Sequence, residues 1–327
     1  MSDNKNKITQ ANQEFSFPRR DFLKYSAAAA AVAGAFSMGL PFGAMAAEAT
    51  PKPGGVLRLG LAGASTTDSK DPGSWVDTFT FVGFSAVYNT LTEIAVDGSA
   101  IPELAESWTS TPDARVWTFK LRQGVTFHNG KTLTAGDVVA SIQHHLGEKS
   151  SSAAKTVLGD VAKVSANGSD SVVFELHSGN ADFTYVVADY HLVIMPSKDG
   201  VPDWQAGVGT GGYRLKDFEP GVRMTLERSP DYWKPGRAHF AGAELVAIGD
   251  GAARINALVT GQVDVINKVD LKTVALLKRN PNLVIEETKG AQHYTFPMLT
   301  DSQVFQNNDV RLAMKHAINR ETLLASV

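Results

Sequence analysis

Residues 103–142 read ELAESWTSTPDARVWTFKLRQGVTFHNGKTLTAGDVVASI, and the reading of this stretch decides the fold. Trp117, Phe119 and Leu121 alternate with Thr118, Lys120 and Arg122, a period of two that predicts a strand with one buried face. Gln123-Gly124 permits a tight turn, and Val125 and Phe127 repeat the alternation, so a second short strand and a hairpin are expected. Asn129-Gly130 is a turn pair, because both residues tolerate positive φ. Thr134 is placed to cap a helix, with Asp137 three residues on as a short form of the capping box. Val138, Val139 and Ile142 give that helix its apolar stripe.

The order of these residues also carries a resemblance. Leu-x-Glu-x-Trp at 104–108, Trp-Thr-Phe-Lys-Leu-Arg-x-Gly-Val-x-Phe-His-x-Gly at 117–130 and Leu-Thr-Ala-x-Asp-Val-Val-x-Ser-Ile at 133–142 run at unbroken spacing. This resembles the signature of the peptide-binding, family 5 extracytoplasmic solute-binding proteins of ABC importers. Further blocks agree. Gly209-Thr210-Gly211-Gly212-Tyr213, followed by Arg228-Ser229-Pro230-Asp231-Tyr232-Trp233, is similar to the family's G-T-G-P-Y and R-N-P-x-Y-W, with Gly212 and Ser229 as departures. Ala257 to Ile266 is similar to A-L-x-x-G-E-V-D, with Gln262 in place of Glu. Phe305 to Glu321 is similar to a helix of the family, with Val304 and Asn319 in place of Pro and Asp.

The chain has 327 residues, 43% hydrophobic and 20% charged, which is the balance of a globular protein. Its first 46 residues are set apart. Pro18-Arg19-Arg20-Asp21-Phe22-Leu23-Lys24 resembles the twin-arginine export motif, and an Ala/Gly-rich apolar run follows to about Ala46. Ala44-Met45-Ala46 supplies small residues for cleavage before Ala47. The competing reading is an N-terminal anchor, but Gly34, Gly39 and Pro41 interrupt the run. Removing this segment takes five Lys/Arg and three Asp/Glu from a net charge of −3 and leaves −5. No basic block suggests nucleic acid. With no cysteine, disulfides, thiol catalysis, thiolate metal sites and a lipoprotein anchor are excluded.

Along the rest of the chain, Val56 to Leu61, Leu192 to Met195 and Gln262 to Ile266 read as strands, and Val161–Val164 with Val172–Leu176 as a hairpin around Asn167-Gly168. Phe81, Phe84, Tyr88 and Leu91 fall on one helical stripe. Ala252 to Thr260 and Leu271 to Arg279 read as helices, as does a segment capped by Asp309. His144-His145 invites a metal reading. Adjacent helical residues point about a hundred degrees apart and rarely share an ion, so solvated histidines and no metal are expected. Gly207-Val208-Gly209-Thr210-Gly211-Gly212 satisfies the dinucleotide pattern literally. It lacks an apolar strand before it and a helix after it, so no cofactor is expected.

The resemblance implies an α/β, periplasmic binding protein-like two-lobed fold (type II, large peptide-binding class). Residues 47–292 would form lobe one, incomplete and with an inserted subdomain at about 92–195. Residues 293–327 would begin lobe two, where family members continue well past Val327, so a C-terminal truncation is expected. By position in the family, Trp75, Val76 and Thr78 would line the ligand cleft, with Thr210, Gly211 and Tyr294. The competing reading of Trp75 is a half-buried residue in a plain surface loop. The function implied is a periplasmic, monomeric receptor that delivers a di- or oligopeptide to ABC permease subunits served by separate ATPase subunits. Nickel chelates, haem, opines and sugars are also ligands in the family. A non-functional remnant of such a receptor is the alternative. A nucleotide-binding enzyme is a more distant one, since no P-loop, nucleophile elbow or zinc-protease motif occurs.

Overall fold

The structure is a computed structural model and describes residues 51–148, 150–287 and 295–325. The export segment, its cleavage site and Tyr294 lie outside the described residues. The chain opens with β1 (Val56–Leu61), a long loop and α1 (Thr78–Val87). There follow β2 (Thr92–Ile94), β3 (Ala100–Pro102), β4 (Ala105–Ser110), β5 (Val116–Leu121), α2 (Ala135–Leu146), β6 (Val161–Asn167), β7 (Ser171–Leu176), α3 (Phe183–Val186), β8 (Ser197–Lys198) and β9 (Val201–Pro202). The chain then forms β10 (Tyr213–Glu219), β11 (Arg223–Arg228), β12 (Gly242–Ala247), α4 (Gly251–Val259), β13 (Val265–Ile266) and α5 (Leu271–Leu277). After the undescribed 288–294 come α6 (Gln303–Gln306), α7 (Asn308–Ala317) and α8 (Arg320–Ala325).

Two sheets organise these elements. The first is mixed, in the order β10-β11-β12-β1-β13, with β12, β1 and β13 parallel and β10–β11–β12 antiparallel. The second is antiparallel, in the order β4-β5-β7-β6. Each has its own core. Beneath α1, Phe79, Phe84 and Val87 pack on Met224, Leu226 and Leu245 of the mixed sheet. Gly83 lets the helix approach closely, because a Cβ there would lie 2.4 Å from Met224 Sδ. In the second core Phe119 and Phe174 meet edge-on at 5.6 Å, and Val138 and Ile142 of α2 close over them. The capping box is present: Asp137 Oδ2 accepts from Thr134 N at 3.0 Å and Thr134 Oγ1 at 2.8 Å.

Four local expectations are corrected. Val125 and Phe127 are buried, but they form no strand that pairs with β5, and an isolated bridge, Thr126 to Thr132, closes the Asn129-Gly130 turn. Both edges of β5 are already taken by β4 and β7, so a chain returning at Gly124 finds no edge to pair with. Leu192 to Met195 is buried but joins no sheet among the described residues. It runs between the cores, Leu192 and Ile194 facing one and Val193 and Met195 the other, so its period of two reflects two apolar surroundings. The aromatic stripe outruns its helix: α1 ends at Val87, and Tyr88 and Leu91 follow it. Asn307, rather than Asp309, caps α7, accepting from Asp309 N at 2.8 Å.

Candidate ligand-binding face

The loop between β1 and α1 folds on its own short side chains. Asp68 accepts from Ser65 N at 2.8 Å, and Asp71 accepts from Gly73 N at 2.9 Å to cap a 3-10 turn at Pro72–Ser74. Asp77 accepts from Thr80 N at 2.9 Å and caps α1. Trp75 anchors the loop. Its ring is 1% exposed and stacks on Phe84 at 4.7 Å and 2°. Its indole N–H donates to Ser69 O at 3.1 Å. With Trp75 pinned inward, Val76 is left 76% exposed, and Thr78 begins the helix partly exposed beside it.

Two histidine contacts fasten this loop to the second sheet unit. His191 Nε2 lies 2.7 Å from Trp75 O, while its Nδ1 lies 2.6 Å from Asp189 Oδ1. His144 Nε2, from the last turn of α2, lies 2.8 Å from Asp71 Oδ1. Burial alone would raise the Asp71 carboxyl, but the hydrogen bonds from His144 and Gly73 outweigh it and hold it below its ordinary value. The expectation of solvated histidines is therefore corrected. His145 is 0% exposed, its Nδ1 2.7 Å from Ser152 Oγ, and burial pushes it down to about 4. The inward turn of α2 carries it against the 150–155 segment, which sequence spacing did not reveal. Beside the loop, Asp71, Ser74, His144 and Ser150–Ser152 line a polar recess of about 280 Å³. Among the described residues no group of three or more His, Asp or Glu is placed to hold a metal ion.

The glycine run lies elsewhere. A Cβ on Gly209 would fall 2.1 Å from Val87 O, and one on Gly211 2.4 Å from Ala86 O. These glycines let the backbone close on the C-terminal end of α1, where Gly211 N donates to Val87 O at 2.8 Å. His128 holds the run from the other side, Nε2 donating to Gly211 O at 2.9 Å and Nδ1 accepting from Gly209 N at 3.4 Å. Burial lowers this imidazole, in keeping with one nitrogen serving as acceptor. Thr210 is 2% exposed and donates to Asn89 Oδ1 at 2.8 Å. β10, not a helix, follows the run, so the geometry for a pyrophosphate is missing.

The structure thus groups Trp75, Val76 and Thr78 at the N-terminal end of α1 and sets Thr210 and Gly211 at the other end. A helix of ten residues spans about 15 Å. Tyr294 lies outside the described residues. The Asp189–His191 contact on Trp75 was missed in the sequence, and only the short Asp-x-His spacing hinted at it.

The model for bacterial extracellular solute-binding proteins, family 5, matches residues 99–327, and the twin-arginine signal model matches residues 16–36. A probable peptide ABC transporter periplasmic-binding protein of Sinorhizobium fredii, y4tO, is 25% identical over 94% of this chain and 59% of its own length. The periplasmic binding protein DppA of Helicobacter pylori, solved with the peptide STSA, superposes with a TM-score of 0.71 at 25% identity, over 84% of this chain and 59% of its own. AgaA of Agrobacterium tumefaciens R10, solved with agropinic acid, gives 0.64 at 30% identity, over 69% of this chain and 46% of its own. The chain therefore spans about half the length of the relatives it matches. The mixed α/β architecture is that of periplasmic binding proteins of the peptide and nickel class, and the chain is exported to the periplasm by the twin-arginine route. With its family match covering most of its length, the chain belongs to the family 5 bacterial extracellular solute-binding proteins.

Proposed function

We propose that the chain serves as a periplasmic receptor that captures a di- or oligopeptide for an ABC importer, with permease and ATPase activities on other subunits. The observation that carries this is the loop at 62–77. Three Asp turns, a buried Trp75 and two histidine contacts fix its course, yet Val76 and Thr78 are left open at a helix N-terminus. A rigid scaffold that presents exposed residues is how binding loops are built. The polar recess beside it, with the Asp71–His144 pair and four serines, supplies donors and acceptors suited to a peptide main chain. Capture of this kind involves no bond chemistry, in keeping with a family of solute-binding proteins rather than enzymes.

The test is ligand-detected NMR of the exported chain with a panel of di- to pentapeptides. Binding is expected, and Val76→Asp, which places a charge on an already exposed position without touching the core, is expected to weaken it by about ten-fold, or ~1.4 kcal/mol. No peptide contact with folded protein, or contact indifferent to Val76→Asp, would overturn the assignment.

A further inference from the structure

A second cavity, of about 450 Å³, lies along the flank of α1 from Phe81 to Asn89, where the β2–β3 hairpin meets the segment that follows β11. That size falls in the range of small-molecule sites. Its apolar wall is built from Phe81 and Tyr190, which meet edge-on at 5.0 Å and 63°, with Ile94 and Val193. Its polar side holds four charges. The Lys234 ammonium contacts both the Glu93 and Glu103 carboxylates, and Asn89 Nδ2 donates to Glu103 Oε1 at 2.6 Å. Glu103 is buried within this group, whereas the Glu93 side chain, which also lines the cavity, is 35% exposed. Arg237 stands at the rim, exposed, and makes no hydrogen bond or ion pair with another described residue, although its charge reaches Glu93.

The lining therefore carries two acids and two bases, and its net charge is zero with all four ionised. A ligand with a single charge would meet a like charge on one side of the cavity whichever way it entered. A ligand with both an ammonium and a carboxylate meets an opposite charge at each end, Glu93 for one and the unpaired Arg237 for the other. Discrimination of this kind needs the repulsive elements as much as the attractive ones. We propose that this cavity is a second ligand site, separate from the face at Val76 and Thr78. It takes a small zwitterion of the free amino acid class, with its apolar or aromatic side chain against Phe81 and Tyr190.

The experiment uses the exported chain and three probes that share one ring: L-phenylalanine, phenethylamine, which lacks the carboxylate, and 3-phenylpropionate, which lacks the ammonium. Binding is read by ligand-detected NMR and titration calorimetry. L-Phenylalanine is expected to bind at least about ten-fold more tightly than either single-charge probe, and Arg237→Gln and Glu93→Gln are each expected to remove about that factor. Arg237 makes no hydrogen bond or ion pair with another described residue, so Arg237→Gln keeps the test valid even if Glu93→Gln disturbs the Lys234 cluster. Three results would overturn the proposal: no binding of L-phenylalanine by folded protein, equal binding of the three probes, or L-phenylalanine binding that Val76→Asp weakens and Arg237→Gln does not. The last result would assign the probe to the first face, so the two sites are tested independently.

Discussion

His145 is held neutral by its surroundings. One ring nitrogen faces Ser152 Oγ and the other has no hydrogen-bond partner among the described residues, so a second ring proton would be buried without an acceptor there. Burial and the neighbouring His144 lower it from 6.5 to about 4. Because the folded value is depressed, the unfolded chain takes up the proton first. The resulting stability is present above about pH 6.5 and is lost as pH falls through about 4. The loss is on the order of 3 kcal/mol, each pH unit of separation being worth about 1.4 kcal/mol. Glu103 acts in the opposite sense. Burial and Glu93 raise it to about 7, so its contribution is present below its unfolded value and lost as pH rises through about 7. A wild-type curve alone would therefore mix the two. Urea midpoints at about pH 7 and pH 4.5, compared between wild type and His145→Gln, isolate the histidine, and the variant is expected to show the shallower acid loss. Parallel curves would refute the assignment.

At the scale of elements, α1 connects the proposed ligand face to the glycine run, and Asp77 determines how it starts. Removing the cap with Asp77→Ala is expected to cost about 1 kcal/mol. Asp77→Asn keeps an equally good cap acceptor and removes a charge beside Asp68, whose carboxyl partial burial and Asp77 together raise to about 6. Thermal unfolding at about pH 7.5 is thus expected to order Asp77→Asn at or above wild type, with Asp77→Ala below both. An Asn variant as unstable as the Ala variant would show that charge, not capping, is the function of Asp77. The start of this helix was not marked in the sequence by an apolar stripe that matched its length. By contrast, α2 was legible, because its capping pair Thr134/Asp137 and its buried residues Val138 and Ile142 lie within one local stretch. The β6–β7 hairpin was legible for the same reason, whereas the partners of β5 were not: β7 lies some fifty residues downstream and takes the edge that a local hairpin needed. The candidate site divides likewise. Val76 and Thr78 were nominated by their position in the resembled family, whereas the contact of His191 with Trp75 O joins residues 116 apart, and no spacing rule encodes it. Buried His145 resembled a surface residue because the segment after it, 147–155, is polar, and only the fold shows that this segment covers it.

For the whole molecule, the central question is how two cores behave as one cooperative unit. The segment after β11 bridges them. Trp233 Nε1 donates to Thr210 O at 3.1 Å, the Arg122 guanidinium lies 5.0 Å from the centre of the Trp233 ring, and Lys234 pairs with Glu93 and Glu103. Lys234→Met would keep the side chain's length and apolar stem but leave Glu103 buried without its cation. Breaking a buried pair from one side costs about 3–5 kcal/mol when the remaining charge must stay ionised. Glu103 has another course, since its folded value already lies near 7 and loss of Lys234 would raise it further, so at low pH it takes a proton and most of the penalty disappears. Lys234→Met is therefore expected to lose about 3 kcal/mol at pH 8 but only about 1 at pH 5, as read from urea unfolding. If the bridge also couples the cores, the pH 8 transition of the variant is expected to broaden into two steps, detected by the ring stacks at Trp75 in one core and Trp117 in the other. A loss of equal size at both pH values, with a single sharp transition throughout, would mean that the apolar contacts around Leu192 to Met195 hold the cores together and the ion cluster does not.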